Sequence, residues 1–497
     1  MQAERGDEAD VALFLEGTYP YLPGGVSSWV HQIVSGCPEL RFSLVYIGAR
    51  RPSNASPRYR RPSNATSLAH VYLQDPAAVE HAPDREAQLR LAAAVQRRES
   101  RRQSRSRVLR ALRRLHLDGT ADVSVLADLA AADLPMEELL HGRDAFELIT
   151  DLAQRLAPDA SFLEFFWAFR SMHVPLVHLL ANIPIARANC YHAVSTGYAG
   201  VAAAAASLRD RRPLVVTEHG IYAREREMEL SRAEWSGAAG NASIRRMWSR
   251  FFRSLSRLAY AQAARLVTLS EVNRGKELAD GALARKIWII PNGVALRRAP
   301  PARAGGGPMR VGFVGRVVPI KDVITFIRAC DLALKSATLQ VRIIGPDDED
   351  PAYATRCRDL AATLGRTDAI RFVGPLPPDR IYGDLDVLVL TSFSEGQPLV
   401  ILEAYAAGLP VIATDVGACR EMIEGGTGDA ALGPSGFVTR ISAPAETASA
   451  LVRLAGDPDL RRRMGAAGRR RVEQRYQLTD MLAAYKHLYR EQRGWQA

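Results

Sequence analysis

Short apolar runs alternate with amphipathic segments along most of the chain. In its second half, the apolar runs predict strands at residues 309–315, 339–345, 369–374, 386–392 and 410–414. The segments between them, such as 323–335 and 353–364, have the apolar spacing of helices. Strands that alternate with helices in this way predict a doubly wound α/β domain whose ligands bind at the carboxyl ends of a parallel sheet.

The first half of the chain begins with the same pattern. Further strands are predicted at residues 11–17, 42–48, 189–195, 214–220, 265–270 and 286–293, and the first strand is followed by a glycine loop and a helix at 26–34. We therefore expect two Rossmann-like domains. Residues of about 75–160 are rich in Arg, Ala and Leu and interrupt the first sheet, which predicts a helical insertion.

Composition gives the domain boundaries. Residues 295–308 have the Pro, Gly and Ala content of a linker, so we expect a first domain over 1–300 and a second over 308–478. A last helix is predicted at about 479–493, within a final segment of 479–497. A length of 497 residues suits two domains of ordinary size with extra pieces.

Cysteine usage and hydropathy predict a cytoplasmic protein. The five cysteines are scattered, and no pair has the spacing of a metal or redox site. The first ten residues are charged, which predicts no signal peptide, and no apolar stretch reaches the length of a membrane span.

A net charge of +11 comes partly from one segment. Residues 97–114 hold nine arginines against one glutamate, and Val108, Leu109, Leu112 and Leu115 add an apolar stripe at helical spacing. The segment is a solvated basic helix, a docking surface for anionic lipid or an acidic partner, or a nucleic-acid patch. No aromatic residue interleaves the arginines, so base stacking is not indicated and we expect no nucleic-acid partner.

The strongest chemical signal lies at residues 394–403, with the sequence SEGQPLVILE. A buried strand, a short turn and a helix opened by Pro398 would place free backbone N–H groups at the edge of a sheet, where a pyrophosphate binds. Glu395 could then accept hydrogen bonds from a sugar, and Glu403, about two turns into the helix, could reach a ribose diol. An amphipathic helix with two solvated carboxylates is the alternative.

Two cations follow the strand that ends at Gly315. Arg316 and Lys321 are placed to neutralise a leaving pyrophosphate, although surface cations at the start of a helix would look the same. The acidic residues Asp347, Asp348 and Asp350 are better explained as a solvated turn than as a metal site. We therefore expect no metal and no other cofactor.

The first domain offers a glycine pair and a histidine. Gly24 and Gly25 stand directly before a helix, where they form either a phosphate-binding loop or a plain turn. His219 ends a predicted strand and would either contact a reacting hydroxyl or pack in the core.

Other polar residues near these two motifs also allow two interpretations. The alternating charges at residues 224–227 suit a salt-bridged helix face better than a polar acceptor site. Tyr19 and Tyr21 either stack on a sugar ring or pack within their loop.

These motifs resemble those of the retaining glycosyltransferases of family 4, which have the GT-B fold, over about residues 310–440. The resemblance implies two Rossmann-like domains facing a cleft, with the last helix crossing back onto the first domain. It also implies a nucleotide-sugar site. The residues that would bind the donor are Gly24, Gly25, Arg316, Lys321, Gly374, Glu395, Gly396, Gln397, Pro398, Leu399 and Glu403. Those that would act in catalysis are His219, Glu395, Arg316 and Lys321.

Two further segments, 15–32 and 217–230, resemble bacterial glycosyltransferases of Pel-type exopolysaccharide synthesis. The resemblance implies transfer of a hexose from a UDP-sugar, with UDP-glucose as the associated donor, to a carbohydrate acceptor. It further implies a cytoplasmic enzyme beside an inner-membrane polysaccharide synthesis and export complex. The alternative is a non-catalytic GT-B scaffold that its basic segment recruits to such a complex or to an anionic membrane surface.

Overall fold

The computed structural model describes most of the chain. The described residues are 9–51, 56–74, 93–117, 122–131, 139–140, 142–183, 187–232, 241–296, 307–426 and 428–493. They form two compact units: Met1–Thr268, Arg274–Trp288 and Tyr485–Ala497 make up the first, and Leu269–Asn273 and Ile289–Ala484 the second. Most of the predicted linker, 297–306, and the first part of the predicted insertion, 75–92, lie outside the described residues.

The first unit is built on a parallel sheet. Its described strands are β1 (Ala9–Glu16), β2 (Phe42–Gly48), β3 (Ala65–Tyr72), β4 (Ala188–Ala193), β5 (Leu214–Glu218), β6 (Arg265–Thr268) and β7 (Ile287–Ile289). They lie in the order β3-β2-β1-β4-β5-β6-β7. Each of the apolar strands β1, β2 and β5 is buried along nearly its whole length, as expected of a sheet that is covered on both faces.

Helices cover this sheet. They are α1 (Gly25–Gly36), α2 (Ala93–Leu117), α3 (Ser124–Ala130), α4 (Arg143–Leu156), α5 (Phe162–Ala181), α6 (Tyr198–Asp210), α7 (Tyr222–Arg232), α8 (Ala242–Gln262) and α9 (Glu271–Ala279). Helices α2 to α5 stand between β3 and β4, and apolar residues of all four belong to the same core as the sheet. The helical insertion is therefore part of the first unit's fold, and its last helix ends at Ala181.

The second unit has its own parallel sheet and core. Its strands are β8 (Met309–Val314), β9 (Leu339–Ile344), β10 (Ile370–Gly374), β11 (Val387–Leu390), β12 (Val411–Thr414) and β13 (Gly436–Thr439), in the order β10-β9-β8-β11-β12-β13. The helices are α10 (Val323–Ala333), α11 (Pro351–Thr363), α12 (Pro378–Ile381), α13 (Leu399–Ala406), α14 (Cys419–Glu424), α15 (Pro444–Gly456), α16 (Pro458–Arg475) and α17 (Leu478–Arg493). Residues of α17 from Tyr485 onward are counted with the first unit.

The prediction of two Rossmann-like domains is confirmed, with two strands added. Strand β3 was not predicted because it is a polar edge strand whose middle residues are partly exposed. Strand β13 (Gly436–Thr439) lies at the edge of its sheet, and its two large apolar residues are only partly buried between a glycine and a threonine, so it leaves no apolar run. Among the described helices, none combines the length and the apolar character that crossing a membrane requires.

Candidate functional site

In the second sheet, the order in which successive strands are added reverses between two neighbouring parallel strands, β8 and β11. From β8 the chain continues to β9 and β10 on one side, whereas β11 leads to β12 and β13 on the other. In open parallel sheets such a reversal leaves a crevice at the carboxyl ends of the two strands, and ligands bind there. The loops that follow β8 and β11 carry Lys321 and Glu395, so the two predicted site residues flank the reversal.

Hydrogen bonds tie these two loops together. The Thr391 hydroxyl, at the end of β11, donates to the carbonyl oxygens of Lys321 and Asp322, at 3.2 and 2.9 Å. The backbone N–H of Phe393 donates to the carbonyl of Ile320 at 2.9 Å. The backbone that carries Lys321 is therefore fixed to the strand that leads to Glu395.

Lys321 and Glu395 form a direct ion pair. The Lys321 Nζ lies 2.5 Å from Glu395 Oε1, and the Ser392 hydroxyl donates to the same oxygen at 2.6 Å. The two side chains are 20% and 11% exposed, so the pair is largely shielded from water. Such a pair presents a cation that an anionic ligand can take over, with a carboxylate beside it that accepts hydrogen bonds from hydroxyl groups.

The turn that carries Glu395 depends on a glycine of another loop. Gly417 has a φ of +53°, and a Cβ at this position would collide with the carbonyl oxygens of Glu395 and Gly396. The Ala418 N–H also donates to the Gly396 carbonyl at 2.8 Å. Only glycine allows the two backbone segments to come this close, so Gly417 helps to fix the position of the turn that carries Glu395.

Glu403 lies just over one turn into α13, not about two, because the helix begins at Leu399 and Pro398 is its N-cap. The Tyr382 hydroxyl donates to Glu403 Oε2 at 2.5 Å. Burial, and then the charge of Glu403, raise the pKa of Tyr382, so the phenol stays a donor. The carboxylate of Glu403 is thus oriented by a neighbour that the sequence did not indicate.

Gln397 has a structural part in this unit. It is buried, its side-chain oxygen accepts from the Asn292 N–H at 2.6 Å, and its amide donates to the Leu269 carbonyl at 3.2 Å. Any contact of Gln397 with a nucleotide-sugar donor, as predicted, would therefore have to come from its backbone. Gly374 ends β10 at the same carboxyl edge, with a φ of +75°.

Arg316 is half-exposed and pairs with Glu349 at 2.6 Å. Asp347 pairs with Arg358, and Asp350 caps α11 by accepting from the Tyr353 N–H at 2.9 Å. Two of the three acidic residues of this turn thus form contacts within the protein. No group of three potential metal ligands occurs in the part of the chain that the structure describes.

The glycine pair of the first unit stands at the start of α1. Gly24 is the N-cap and Gly25 the first helical residue, and a Cβ on Gly24 would meet no atom within 4 Å. The open space leaves room for a ligand at the helix N-terminus. Tyr19 and Tyr21, by contrast, pack against neighbouring elements of the first unit: Tyr19 is buried against His31 of α1, and the Tyr21 hydroxyl lies 2.6 Å from His70 Nε2 of β3.

His219 directly follows β5 and packs edge-on against Trp29, with ring centroids 4.6 Å apart. Burial lowers the pKa of His219 to about 3, so the imidazole is neutral. Its Nε2 is shielded from water and has no hydrogen-bond partner among the described residues. A buried ring nitrogen without a partner is uncommon in a structural histidine, and it leaves one polar atom of His219 for a ligand.

A buried chain of hydrogen bonds supports the strand before His219. Tyr489 contacts His192 Nδ1 at 2.7 Å, His192 Nε2 lies 2.9 Å from the Thr217 hydroxyl, and Thr217 lies 3.0 Å from the Tyr485 hydroxyl. All four side chains are fully buried. The last helix thereby fixes the end of β5.

Sequence reasoning missed Glu16, which ends β1 where the first sheet reverses between β1 and β4. Its carboxylate accepts from the Tyr222 hydroxyl at 2.9 Å and from the Ala199 N–H at 3.3 Å, and Arg226 lies 3.9 Å away. A carboxylate directly after the first strand of a parallel sheet was the available signal.

The alternating charges after His219 form ion pairs within the first unit. Arg224 pairs with Asp280 at 3.4 Å, Arg226 with Glu229 at 2.7 Å and Glu227 with Arg253 at 2.8 Å. The interpretation as a salt-bridged helix therefore agrees with the contacts.

The first unit also contains two buried carboxyl groups, Glu218 at the end of β5 and Glu277 in α9. Burial raises the pKa of Glu218 to about 7. Burial, and then the charge of Glu218, raise the pKa of Glu277 to about 9. Glu218 accepts from the Thr196 hydroxyl and the Tyr222 N–H, at 2.9 and 3.0 Å. Near neutral pH Glu277 is therefore protonated, whereas Glu218 is close to the midpoint of its titration.

The arginine-rich segment lies in α2. Its apolar stripe, including Val108 and Leu112, is buried in the core of the first unit. Several of its arginines pair with acids of the insertion: Arg105 with Asp144, Arg113 with Asp151, and Arg114 with Asp122. Much of the local positive charge is thus balanced within the insertion.

Two family models match the chain. Residues 9–285 match the model described as "Domain of unknown function (DUF3492)", and residues 308–457 match the model described as "Glycosyl transferases group 1". The two matches divide the chain much as the two sheets do.

Individual relatives agree with the second match. The chain is 34% identical over 223 residues to a D-inositol 3-phosphate glycosyltransferase of Nocardia farcinica. The aligned region covers 41% of this chain and 48% of that protein. It is 27% identical over 273 residues to an MMP alpha-(1->4)-mannosyltransferase of Mycolicibacterium hassiacum, covering 52% and 61%. The chain spans about half the length of the first of these relatives.

Solved structures with the GT-B fold align with nearly the whole chain. A sucrose-phosphate synthase of Thermosynechococcus elongatus aligns with a TM-score of 0.60 at 16% identity, over 97% of this chain and 98% of that one. HepE of Anabaena, in complex with UDP-glucose, aligns with a TM-score of 0.57 at 14% identity, over 97% and 99%. At these identities the likeness shows the fold alone.

Proposed function

The chain belongs to the family described as Domain of unknown function (DUF3492) and carries a glycosyl transferases group 1 domain, and from this premise we propose that it is a retaining hexosyltransferase. Its donor is a UDP-sugar and its acceptor a carbohydrate. The observation that carries the proposal is the ion pair of Lys321 and Glu395 at the strand reversal of the group 1 domain.

In the proposed reaction Lys321 and Arg316 stabilise the charge that builds on the departing UDP. Each now faces a carboxylate, Glu395 and Glu349 respectively, and each would exchange that partner for a phosphate oxygen. The backbone N–H groups from Gly396 to Leu399 would bind the same anion, since they begin α13.

The carboxylates orient the donor. Glu395, freed from Lys321, would accept hydrogen bonds from the hexose hydroxyls, and Glu403 would hold the ribose diol. His219, neutral and with one nitrogen unused, would hydrogen-bond the sugar near the reacting carbon. Gly24 and Gly25 would approach the phosphates through the N-terminus of α1.

Retention is proposed to follow a same-face displacement. The acceptor hydroxyl attacks the anomeric carbon on the side that UDP leaves, and the leaving phosphate oxygen takes the hydroxyl proton. No carboxylate is assigned as a covalent nucleophile, and no metal is required, since the cations and the backbone N–H groups carry the charge.

UDP-glucose is the proposed donor. The structures of HepE, a protein with the same fold, include complexes with UDP and with UDP-glucose. We further propose PelF, the glycosyltransferase of Pel exopolysaccharide synthesis, as the nearest functional parallel, with a cytoplasmic location beside an inner-membrane polysaccharide synthesis and export complex. The segments 15–32 and 217–230 support this assignment.

Direct measurements test the proposal. UDP binding is measured by calorimetry, and UDP release from UDP-glucose is followed with and without a panel of oligosaccharides. We expect UDP binding without added metal, acceptor-dependent UDP release, and an α-linked product by NMR. A folded protein that binds neither UDP nor UDP-sugars would contradict the proposal, and a β-linked product would contradict retention. UDP binding without turnover on any acceptor would favour the scaffold role.

A further inference from the structure

A cavity of about 440 Å³ lies between α7 and α8 in the first unit. Four of its lining residues are arginines of α8: Arg245, Arg246, Arg250 and Arg253. Helix α7 contributes Glu227 and Leu230. The volume falls in the range of small-molecule sites, which is about 300–1,000 Å³.

The arginines repel one another along the helix. Arg246, Arg250 and Arg253 follow at i, i+4 and i+7 and therefore share one face, where like charges repel one another. An anion bound among them would remove this repulsion.

Among the described residues, few acidic side chains lie at the cavity. Glu227, the acidic residue of the lining, pairs with Arg253 at 2.8 Å. Arg246 donates to the Ser243 hydroxyl and lies near the exposed Asp159, whose pKa is lowered first by a hydrogen bond with Ser243 and least by the charge of Arg246. Arg250 is exposed and has no carboxylate partner among the described residues. Within the described part of the chain, Arg250 is therefore a cation of this cavity that no carboxylate neutralises.

We propose that this cavity binds the phosphate group of a small, soluble phosphorylated compound. Guanidinium groups bind phosphate through paired N–H donors in a fixed fork, and Arg246 and Arg250 stand one helical turn apart on the cavity wall. Leu230 offers an apolar surface for the rest of the ligand. This site is separate from Lys321 and Glu395 and does not depend on the proposed function.

The shape and lining select among anionic ligands. The site is concave, whereas a membrane surface is flat and is met by an exposed basic face such as that of α2. None of the described lining residues is an aromatic residue on which a nucleic-acid base could stack. A phosphate ester that can enter the cavity alone is the chemistry that remains.

The test measures binding of inorganic phosphate and of glucose 6-phosphate by calorimetry at physiological ionic strength. All proteins carry Lys321→Ala and Arg316→Ala, which remove the two cations of the second unit that could bind phosphate instead. Arg246→Gln with Arg250→Gln should weaken binding about tenfold or more, because two charge-assisted contacts are lost. Arg110→Gln, an exposed arginine of α2 outside the cavity, is the matched control and should bind like its parent.

Equal affinity of the double glutamine variant and its parent would overturn the proposal, as would the absence of phosphate binding in the parent. Vesicles containing phosphatidylglycerol form a second arm. Binding to these vesicles that Arg246→Gln and Arg250→Gln abolish, without binding of either soluble phosphate, would overturn the assignment to a soluble ligand. Because UDP binding is measured separately in the protein with Lys321 and Arg316 intact, failure here and failure of the proposed function are distinguishable.

Discussion

The carboxyl edges of the two parallel sheets carry different kinds of ionisable groups. The second edge holds an ion pair, Lys321 with Glu395, whose cation faces a strand reversal. The first edge holds a neutral histidine, His219, and the raised-pKa carboxyl groups of Glu218 and Glu277. Both edges are largely buried, so burial alone does not decide the charge. Lys321 and Glu395 pair with each other in the second unit, whereas burial in the first unit shifts the pKa values of His219, Glu218 and Glu277 toward the neutral forms.

The largest expected effect comes from removing the cation of the second edge. Lys321→Ala should lower kcat/KM for UDP release from UDP-glucose about 10²- to 10³-fold, the loss typical of one electrostatic contact to a developing anion. Lys335→Ala is the control, since Lys335 is exposed in the same unit and lies 3.9 Å from Asp331. Similar rates for both folded variants would remove Lys321 from the reaction.

A smaller effect is expected from the carboxylate that would hold the ribose. Glu403→Gln keeps the shape of the side chain but loses a charged acceptor, so the KM for the donor should rise about tenfold while kcat changes less. Glu424→Gln, an exposed glutamate that pairs with Arg420, serves as the control. A fall in kcat with an unchanged KM would contradict the assignment to ground-state binding of the ribose.

At the first edge, the neutral His219 leads to a prediction about pH. Because its pKa is lowered to about 3, its protonation should produce no limb in the profile of kcat/KM between pH 5 and 8. His219→Asn should lower the rate about fivefold, the loss of roughly one neutral hydrogen bond, and leave the shape of the profile unchanged. A limb near pH 6.5 that disappears in His219→Asn, but not in His487→Asn, would show that His219 titrates.

The smallest change is expected in stability. A carboxyl group whose pKa is raised in the folded state stabilises that state fully below its unfolded pKa of about 4.5, and the contribution is lost as pH rises through the folded pKa. Glu277→Gln removes this loss, so its Tm should match that of the parent near pH 4 and exceed it by a few degrees near pH 9.

Thermal unfolding across this range is the measurement. A constant Tm difference between the Glu277→Gln variant and its parent at all pH values would show that Glu277 is ionised in the folded protein.

Much of the fold followed from the hydrophobic pattern. Strands such as β1 and β11 are buried on both faces and therefore leave unbroken apolar runs, as at 11–15 and 387–390. Strand β3 left no such run because an edge strand tolerates polar side chains. The pattern thus reports burial, and it fails where a strand is only partly buried.

The candidate site was predictable where a motif lies beside a strand end, as with Lys321 and Glu395. The partners that orient the site were not. Tyr382 reaches Glu403 across 21 positions, and Glu16 meets Tyr222 across 206, so both contacts depend on how distant segments pack. Gln397 shows the converse, because its place in the motif gave no sign that its side chain is used within the fold. The roles of all these residues in a reaction remain predictions.

The hydrogen-bonded chain from Tyr489 through His192 and Thr217 to Tyr485 has a consequence for biosynthesis. On a ribosome, His192 emerges 297 residues before Tyr489, and Thr217 emerges 268 residues before Tyr485, the two tyrosines that complete their hydrogen bonds. Until the tyrosines are present, the His192 imidazole and the Thr217 hydroxyl must bind water in an incompletely folded core. The first unit is therefore completed only after the segment Ile289–Ala484 of the second unit has been synthesised.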